Sequence, residues 1–142
     1  MSKASFNAIL GFDFGLKRIG VAVGQRFTRT ASPVTTLAAH EGVPNWSQVS
    51  KVIQAWKPDA LIVGIPLNMD DTISAMAERA EAFAKELEVR FQLPVFRIDE
   101  RLSTFAAKNE FVMIRGKALK RGQKVDSYAA ALLIESWFNT FP

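Results

Sequence analysis

The chain has 142 residues, of which 49% are apolar and 23% charged, and its formal net charge is +4. These proportions are typical of a globular protein with one substantial core, so we expect a single domain over residues 1–142. No apolar run approaches the roughly 20 residues needed to cross a bilayer, and the absence of cysteine excludes disulfides, a thiol nucleophile and cysteine metal sites. The N-terminus does not resemble a signal peptide, and the sequence therefore predicts a cytoplasmic protein without a membrane partner.

The first part of the chain predicts a three-strand antiparallel meander. Residues 9–14 and 19–23 are almost continuously apolar, as is typical of strands covered on both faces, and a short turn joins them. Residues 30–37 form a third predicted strand, in which Pro33 indicates an edge or a bulge.

Later strands are expected to alternate with helices. Asn45 precedes apolar residues at helical spacing and is predicted to cap a helix that ends near Trp56. Residues 60–66 then read as a short buried strand, residues 73–87 as a long amphipathic helix, and residues 93–98 as a fifth strand.

The C-terminal part predicts two more helices separated by a basic linker. The shorter helix covers residues 105–114, the linker residues 115–124, and the last, strongly apolar helix residues 125–138. Alternating strands and helices favour parallel pairing with right-handed crossovers. The predicted fold is therefore a mixed five-stranded α/β sheet, made of the meander and parallel strands, with helices on both faces.

Positive charge is concentrated between Arg101 and Val125, where Glu110 is the only acid. The cations of this segment are Arg101, Lys108, Arg115, Lys117, Lys120, Arg121 and Lys124. Such a local excess is expected of a surface that binds a polyanion, although a solvated loop would explain it equally well.

Acidic residues stand at the predicted strand ends. Asp13 ends the first strand, Asp99 and Glu100 follow the fifth, and Asp126 begins the last helix. If these strands run parallel, their carboxyl ends share one edge of the sheet and the acids converge there. Crowded carboxylates repel one another unless they share protons or bind a cation. In a chain with no cysteine and one histidine, oxygen ligands favour Mg²⁺ or Mn²⁺ over Zn²⁺.

Four stretches resemble, in order, the YqgF family of RNase H-like proteins, which is also named RuvX. They read FDFGLKRIGVAVG, IVGIPLNMD, IDERLST and KVDSYAAALLIES, and together they extend from about residue 10 to residue 138. The resemblance implies an RNase H-like fold related to the Holliday-junction resolvase RuvC. It also implies a metal-dependent nuclease that processes the 5′ end of pre-16S rRNA. Carried over by motif, the catalytic and metal-binding acids are Asp13, Glu100 and Asp126, whereas strand position alone leaves Asp99 and Glu100 as alternatives.

The implied mechanism is phosphodiester hydrolysis. Mg²⁺ or Mn²⁺ held by the three acids would lower the pKa of a water molecule for in-line attack and would stabilise the leaving oxygen. The candidate substrate contacts are Lys17, Arg18, Asn68, Arg101, Arg115, Lys117, Lys120, Arg121 and Lys124. Such phosphate contacts position a substrate without reading its sequence. The expected partner is structured RNA or branched DNA, bound by a monomer or a weak homodimer.

Two features depart from the pattern of the resolvase relatives. Those proteins carry a second acid in the last helix, whereas here no acid follows Asp126 before Glu135. A two-metal site would then be incomplete, or the second metal would bind weakly and depend on substrate phosphate. In addition, Asp71 stands where the family has glycine. Asp70 and Asp71 are then expected either at the rim of the site or, for Asp71, as the cap of the next helix.

Each candidate acid also has a purely structural interpretation. Asp13 would bind backbone amides, Glu100 would pair with Arg97 or Arg101, and Asp126 would be a helix acid favoured by the macrodipole. Two other functions remain open. A Holliday-junction resolvase must cut two strands and therefore needs a two-fold dimer. A non-catalytic nucleic-acid-binding factor in ribosome assembly or transcription would bind RNA in a salt-dependent way.

Overall fold

A computed structural model describes residues 7–66, 74–100, 111–114, 117–120 and 123–140. The strands are β1 (Ala8–Asp13), β2 (Arg18–Gln25), β3 (Thr30–His40), β4 (Val43–Pro44), β5 (Ala60–Ile65), β6 (Val95–Asp99), β7 (Phe111–Ile114) and β8 (Lys117–Lys120). The helices are α1 (Trp46–Trp56), α2 (Ala75–Phe91) and α3 (Gln123–Thr140). Within these ranges no helix is long and apolar enough to span a membrane.

The main sheet has six strands in the order β4-β3-β2-β1-β5-β6. Strands β1, β2 and β3 are antiparallel neighbours, and β1, β5 and β6 run parallel. The predicted combination of a meander with parallel strands is confirmed. The expected bulge at Pro33 is confirmed as well, because the register places Val21 opposite Thr35 but Ala22 opposite Pro33.

The sheet separates two apolar cores. Leu10 and Phe12 of β1 pack with α1 and α2 on one face, whereas Ile9 packs with α3 on the other. Neighbouring side chains of a strand point to opposite faces, so Gly11 and Asp13 share the face of Ile9. The prediction of helices on both faces is confirmed, and Asp13 lies on the face that α3 covers.

Helix α3 lies directly on the sheet backbone because glycines line the strands below it. A Cβ atom at Gly11 would be 2.6 Å from Cγ1 of Ile134, and one at Gly24 would overlap the side chain of the same residue. At Gly20 an added Cβ would overlap the backbone carbonyl oxygen of Asp126. The position of the first turn of α3 is therefore fixed by β2.

Helix N-termini follow the sequence signals closely. Asn45 is confirmed as the N-cap of α1, where its side chain accepts a hydrogen bond of 2.9 Å from the Ser47 amide. Helix α2 is capped by Ser74, whose Oγ accepts from the Ala77 amide at 3.0 Å. The suggestion that Asp71 caps this helix is therefore wrong; Asp70 and Asp71 themselves lie outside the described residues.

Two predictions for the C-terminal part are wrong. Residues 111–114, predicted as the end of a helix, form β7, and they pair in antiparallel fashion with β8, which lies inside the predicted basic linker. Residues 105–110 of that predicted helix lie outside the described residues. A short apolar run fits a helix or a strand equally well by periodicity, which is why the two were confused. The main sheet also has six strands rather than five, because β4 extends it beside β3.

Candidate metal and nucleic-acid site

The strand register brings the candidate acids to one edge of the sheet. Asp13 ends β1, and the parallel pairs Phe12 with Val63 and Ile65 with Asp99 align the carboxyl ends of β1, β5 and β6. In β2, Gly20 is the partner of Asp13, and it lies beneath the backbone of Asp126. Acids from three distant parts of the chain therefore reach the same region.

The structure distinguishes Glu100 from Asp99. A Cβ atom at Gly64 in β5 would be 2.8 Å from Oε1 of Glu100 and 2.7 Å from Cδ1 of Leu133. Glu100 therefore packs between β5 and α3, on the same face as Asp13. Strand alternation places Asp99 on the opposite face, together with Arg97.

Arg97 is engaged on the α2 side of the sheet. Its guanidinium contacts the carboxylates of Glu81 and Glu88, with 2.9 Å between the charged atoms in each pair. The alternative that Glu100 is the acid held by Arg97 therefore receives no support from these contacts.

Glu100 and Asp13 form a hydrogen-bonded pair of carboxyl groups. Burial raises the pKa of Glu100 above its ordinary value, and the negative charge of Asp99 raises it further. The hydrogen bond with Asp13 acts in the opposite direction. Two acids held this close in a half-buried setting are suited to share a proton or to bind a cation through hard oxygen donors.

Asp126 makes a different contact. It lies in the first turn of α3, and its Oδ2 accepts a hydrogen bond of 2.7 Å from Nε of Arg18, the first residue of β2. The Asp126 side chain is 15% exposed and that of Arg18 is 44% exposed. As the side chains stand, the described part of the chain contains no group of three acidic or histidine residues able to hold one ion. The structure thus pairs Asp13 with Glu100 and neutralises Asp126 with Arg18.

The candidate substrate contacts are only partly described. Lys17 and Arg18 are exposed beside the acids, where a Cβ at Gly15 would be 2.5 Å from the Arg18 carbonyl oxygen, so this connection is tight. The backbone places Lys117 and Lys120 in β8 and Lys124 in the first turn of α3. The other candidates, Asn68, Arg101, Arg115 and Arg121, lie outside the described residues.

Sequence reasoning missed the residues that position the acids. Gly20 seats the Asp126 backbone and Gly64 leaves room for the Glu100 side chain. A signal for the first was present, because small residues occupy alternate positions of β2 at Gly20, Ala22 and Gly24. That pattern indicates the close approach of another element to one face of the strand.

The RuvX family model, described as Holliday junction resolvase, matches residues 7–140 of the chain. The chain belongs to the RuvX family. Among its relatives in this family, the "Putative pre-16S rRNA nuclease" of Pseudomonas putida (strain KT2440) is 54% identical over 136 residues, which cover 94% of this chain and 96% of the relative. The protein of the same name from Pseudomonas aeruginosa (strain PAO1) is 50% identical over 134 residues, covering 94% and 93%. The family expected from four motifs is confirmed.

Solved structures of resolvases resemble this RuvX-family chain in fold. Thermus thermophilus RuvC in complex with a Holliday junction substrate matches with a TM-score of 0.56 and 14% identity, covering 95% of this chain and 96% of that one. The yeast mitochondrial Holliday junction resolvase Ydc2 matches with a TM-score of 0.55 and 9% identity, covering 94% and 78%. The expected RNase H-like, RuvC-related fold is confirmed.

Proposed function

We propose that this protein is a metal-dependent nuclease that hydrolyses phosphodiester bonds and processes the 5′ end of pre-16S rRNA. The observation that carries the proposal is the hydrogen-bonded pair of Asp13 and Glu100 at the carboxyl edge of the parallel strands. Sites of α/β sheets gather at this edge. Membership of the RuvX family and the names of its relatives support the same activity. A ribosomal precursor as substrate implies that the protein acts in the cytoplasm.

The metal site is proposed to consist of Asp13, Glu100 and Asp126. All three supply carboxylate oxygens, the donor type that Mg²⁺ and Mn²⁺ prefer, and the two that are already paired gain most from a cation that neutralises their repulsion. A divalent cation bound there would lower the pKa of water and stabilise charge on the leaving oxygen. One metal is proposed, because Asp126 has no acidic neighbour in the following turn.

Nucleic-acid binding is assigned to the exposed cations beside the acids and to the basic segment. Lys17 and Arg18 are exposed at the same edge, and the basic segment supplies Arg101, Arg115, Lys117, Lys120, Arg121 and Lys124, with Asn68 as a further polar contact. These side chains would hold phosphates and orient the backbone relative to the acids. The affinity for RNA is then expected to fall steeply with salt. A monomer or weak homodimer is sufficient for this reaction.

Cleavage of a precursor rRNA leader tests the proposal. We expect the wild type to cleave this RNA with Mg²⁺ or Mn²⁺ and not with EDTA. In Asp13→Asn and Glu100→Gln the cleavage rate should fall by about two orders of magnitude or more. Glu86→Gln is the matched control, since it removes a carboxylate that pairs with Arg90 on the surface of α2. Unchanged cutting in the two site variants would contradict the assignment. An absence of cutting with intact RNA binding would favour a non-catalytic assembly factor.

A Holliday-junction resolvase is the second candidate, because the family model itself carries that description. A resolvase cuts two strands symmetrically and needs a two-fold dimer on the junction. The same assay with a synthetic four-way DNA junction, together with the mass of the complex in solution, separates the two functions. Paired symmetric cuts by a dimer would favour the resolvase, whereas a monomer that cuts only RNA would exclude it.

A further inference from the structure

The contact between Arg18 and Asp126 joins a candidate substrate residue to a candidate metal ligand. We propose that Arg18 is an internal counter-ion that occupies Asp126 until a substrate phosphate takes the guanidinium, which frees Asp126 for the cation. Arg18 is then a positioning residue that makes complete metal binding depend on substrate. This inference rests on the proposed function and adds a regulatory step to the same site.

The geometry of the pair suits an exchange. The Asp126 carboxylate is mostly covered, whereas the Arg18 side chain is almost half exposed, so the guanidinium lies on the solvent side of the acid. The backbone of Asp126 rests on Gly20 and has no room to approach β2 further. A change of partner can therefore proceed by rotation of the two side chains and does not require α3 to approach β2 more closely.

Electrostatics makes Arg18 and a cation competitors. A guanidinium bonded to Oδ2 occupies a carboxylate oxygen that a cation would need, and its charge repels a cation from the adjacent Asp13 and Glu100 pair. A phosphodiester is an equally good acceptor for arginine, because it offers two oxygens to the planar donor fork. Exchange of carboxylate for phosphate leaves no charge without a partner. Binding of cation and of nucleic acid is then mutually favourable.

Titration of Mn²⁺ by calorimetry, without nucleic acid, provides the first test. We expect Arg18→Gln to bind Mn²⁺ roughly three- to tenfold more tightly than the wild type, because it removes the competing charge. Lys17→Gln is the matched control: it deletes one positive charge at the adjacent exposed position, and no ion pair of Lys17 with Asp126 is seen. A change of less than about twofold is expected there, since exposed charges are screened.

A double-mutant cycle tests whether the effect acts through Asp126. In the Asp126→Asn background, the gain from Arg18→Gln should fall to less than about twofold, because the acid that it frees is gone and only the screened repulsion by the Arg18 charge remains. RNA binding measured in EDTA should move in the opposite direction. Arg18→Gln is expected to weaken it several-fold through loss of a phosphate contact, while an arginine that only ties β2 to α3 would leave RNA affinity unchanged.

Several results would overturn the inference. These are an Mn²⁺ affinity in Arg18→Gln that is equal to or weaker than that of the wild type, a gain that is undiminished in the Asp126→Asn background, or unchanged RNA binding. Should Arg18→Gln fail to fold, Arg18→Lys retains the charge but loses the Nε contact and should show a smaller gain. Failure of the proposed function would give a different result. The Mn²⁺ affinity of Asp13→Asn would equal that of the wild type, and the wild type would not cleave RNA.

Discussion

Asp13 shows how one strand carries both core residues and a candidate site residue. Its neighbours Phe12 and Phe14 are buried on the α1 and α2 side, where both rings lie 5.6 Å from that of Phe83. The side chain of Asp13 points to the other face and forms a hydrogen bond with Glu100. A carboxylate inside an apolar run is therefore compatible with a packed core, because alternation separates the two environments.

Glu100→Gln is predicted to stabilise the protein when no cation is present. The folded-state pKa of Glu100 lies above its ordinary value of 4.5, so the native state binds more protons than the unfolded chain between these two values. Its contribution to stability is therefore present at low pH and lost as the pH rises through the folded pKa. At neutral pH in EDTA, we expect the variant to melt a few degrees higher than the wild type, by about 2–5 °C.

Thermal unfolding with and without Mn²⁺ checks this prediction. The cation should raise the melting temperature of the wild type more than that of Glu100→Gln, since the variant lacks a ligand. Glu86→Gln serves as the control for loss of a surface carboxylate. A variant that melts below the wild type in EDTA would show that the carboxylate stabilises the fold.

At the scale of elements, the first turn of α3 rests on the sheet through backbone contact at Gly20, whereas its later turns pack through side chains such as Ile134. Gly20→Ala is predicted to lift its first turn, because the new Cβ would overlap the Asp126 carbonyl oxygen. We expect a loss of about 1–3 kcal/mol in the free energy of unfolding. We also expect a fall in cleavage at temperatures where the variant remains folded.

Gly24→Ala is the matched control for this substitution. It lies under the same helix at the far end of β2, where the added methyl group meets the side chains of Ile134 and Phe138. A similar loss of stability with normal cleavage is expected from chemical denaturation and the RNA assay. If both variants lost cleavage equally, the general packing of α3 would limit activity, and not the position of Asp126.

The ion pair of Arg97 in β6 with Glu88 in α2 should stabilise the fold less at low pH. The Arg97 hydrogen bond lowers the pKa of Glu88 below its ordinary value of 4.5, so this ion pair stabilises the fold above that pH. The contribution is lost as the pH falls through the lowered pKa. Glu88→Gln should cost less than about 1 kcal/mol at pH 7, since the carboxylate is partly in water. Urea unfolding at pH 7 and near pH 3 checks this, because the difference should vanish in acid.

Element by element, the sequence predicted what depends on local pattern. The parallel strands, Asn45 as a cap and the bulge at Pro33 all follow from signals within a few residues. The pair of β7 and β8 was missed because the four apolar residues of β7 carry no decisive period. Strand β4 is only two residues long and depends on its neighbour β3 rather than on its own composition.

At the scale of the molecule, the site depends on contacts that no local pattern contains. Parallel pairing predicted that the acids share an edge, and the motifs selected Glu100. The ion pair of Arg18 with Asp126 joins residues 108 positions apart. It forms because the first turn of α3 packs directly on β2. Such a contact requires the complete packing of the sheet, which is why it was not predicted.

Unfolding is predicted to be a single transition across both cores. Trp46 packs on Phe83 in one core, and Trp137 packs on Phe96 in the other. Strand β1 contributes to both, so loss of one core removes support from the second. We expect the tryptophan fluorescence of variants that retain only Trp46 or only Trp137 to change at the same urea concentration. This midpoint should equal the one measured by circular dichroism. Two separate midpoints would show that the faces unfold independently.

The packing of α3 on the first two strands also has a consequence during translation. Strands β1 and β2 leave the ribosome long before the helix that covers them is made, so the apolar face with Ile9 and Ala22 stays open until residues 123–140 follow. A nascent chain in this state presents a surface for chaperones, and it lacks Asp126. The proposed set of Asp13, Glu100 and Asp126 is therefore incomplete in the nascent chain until α3 has emerged.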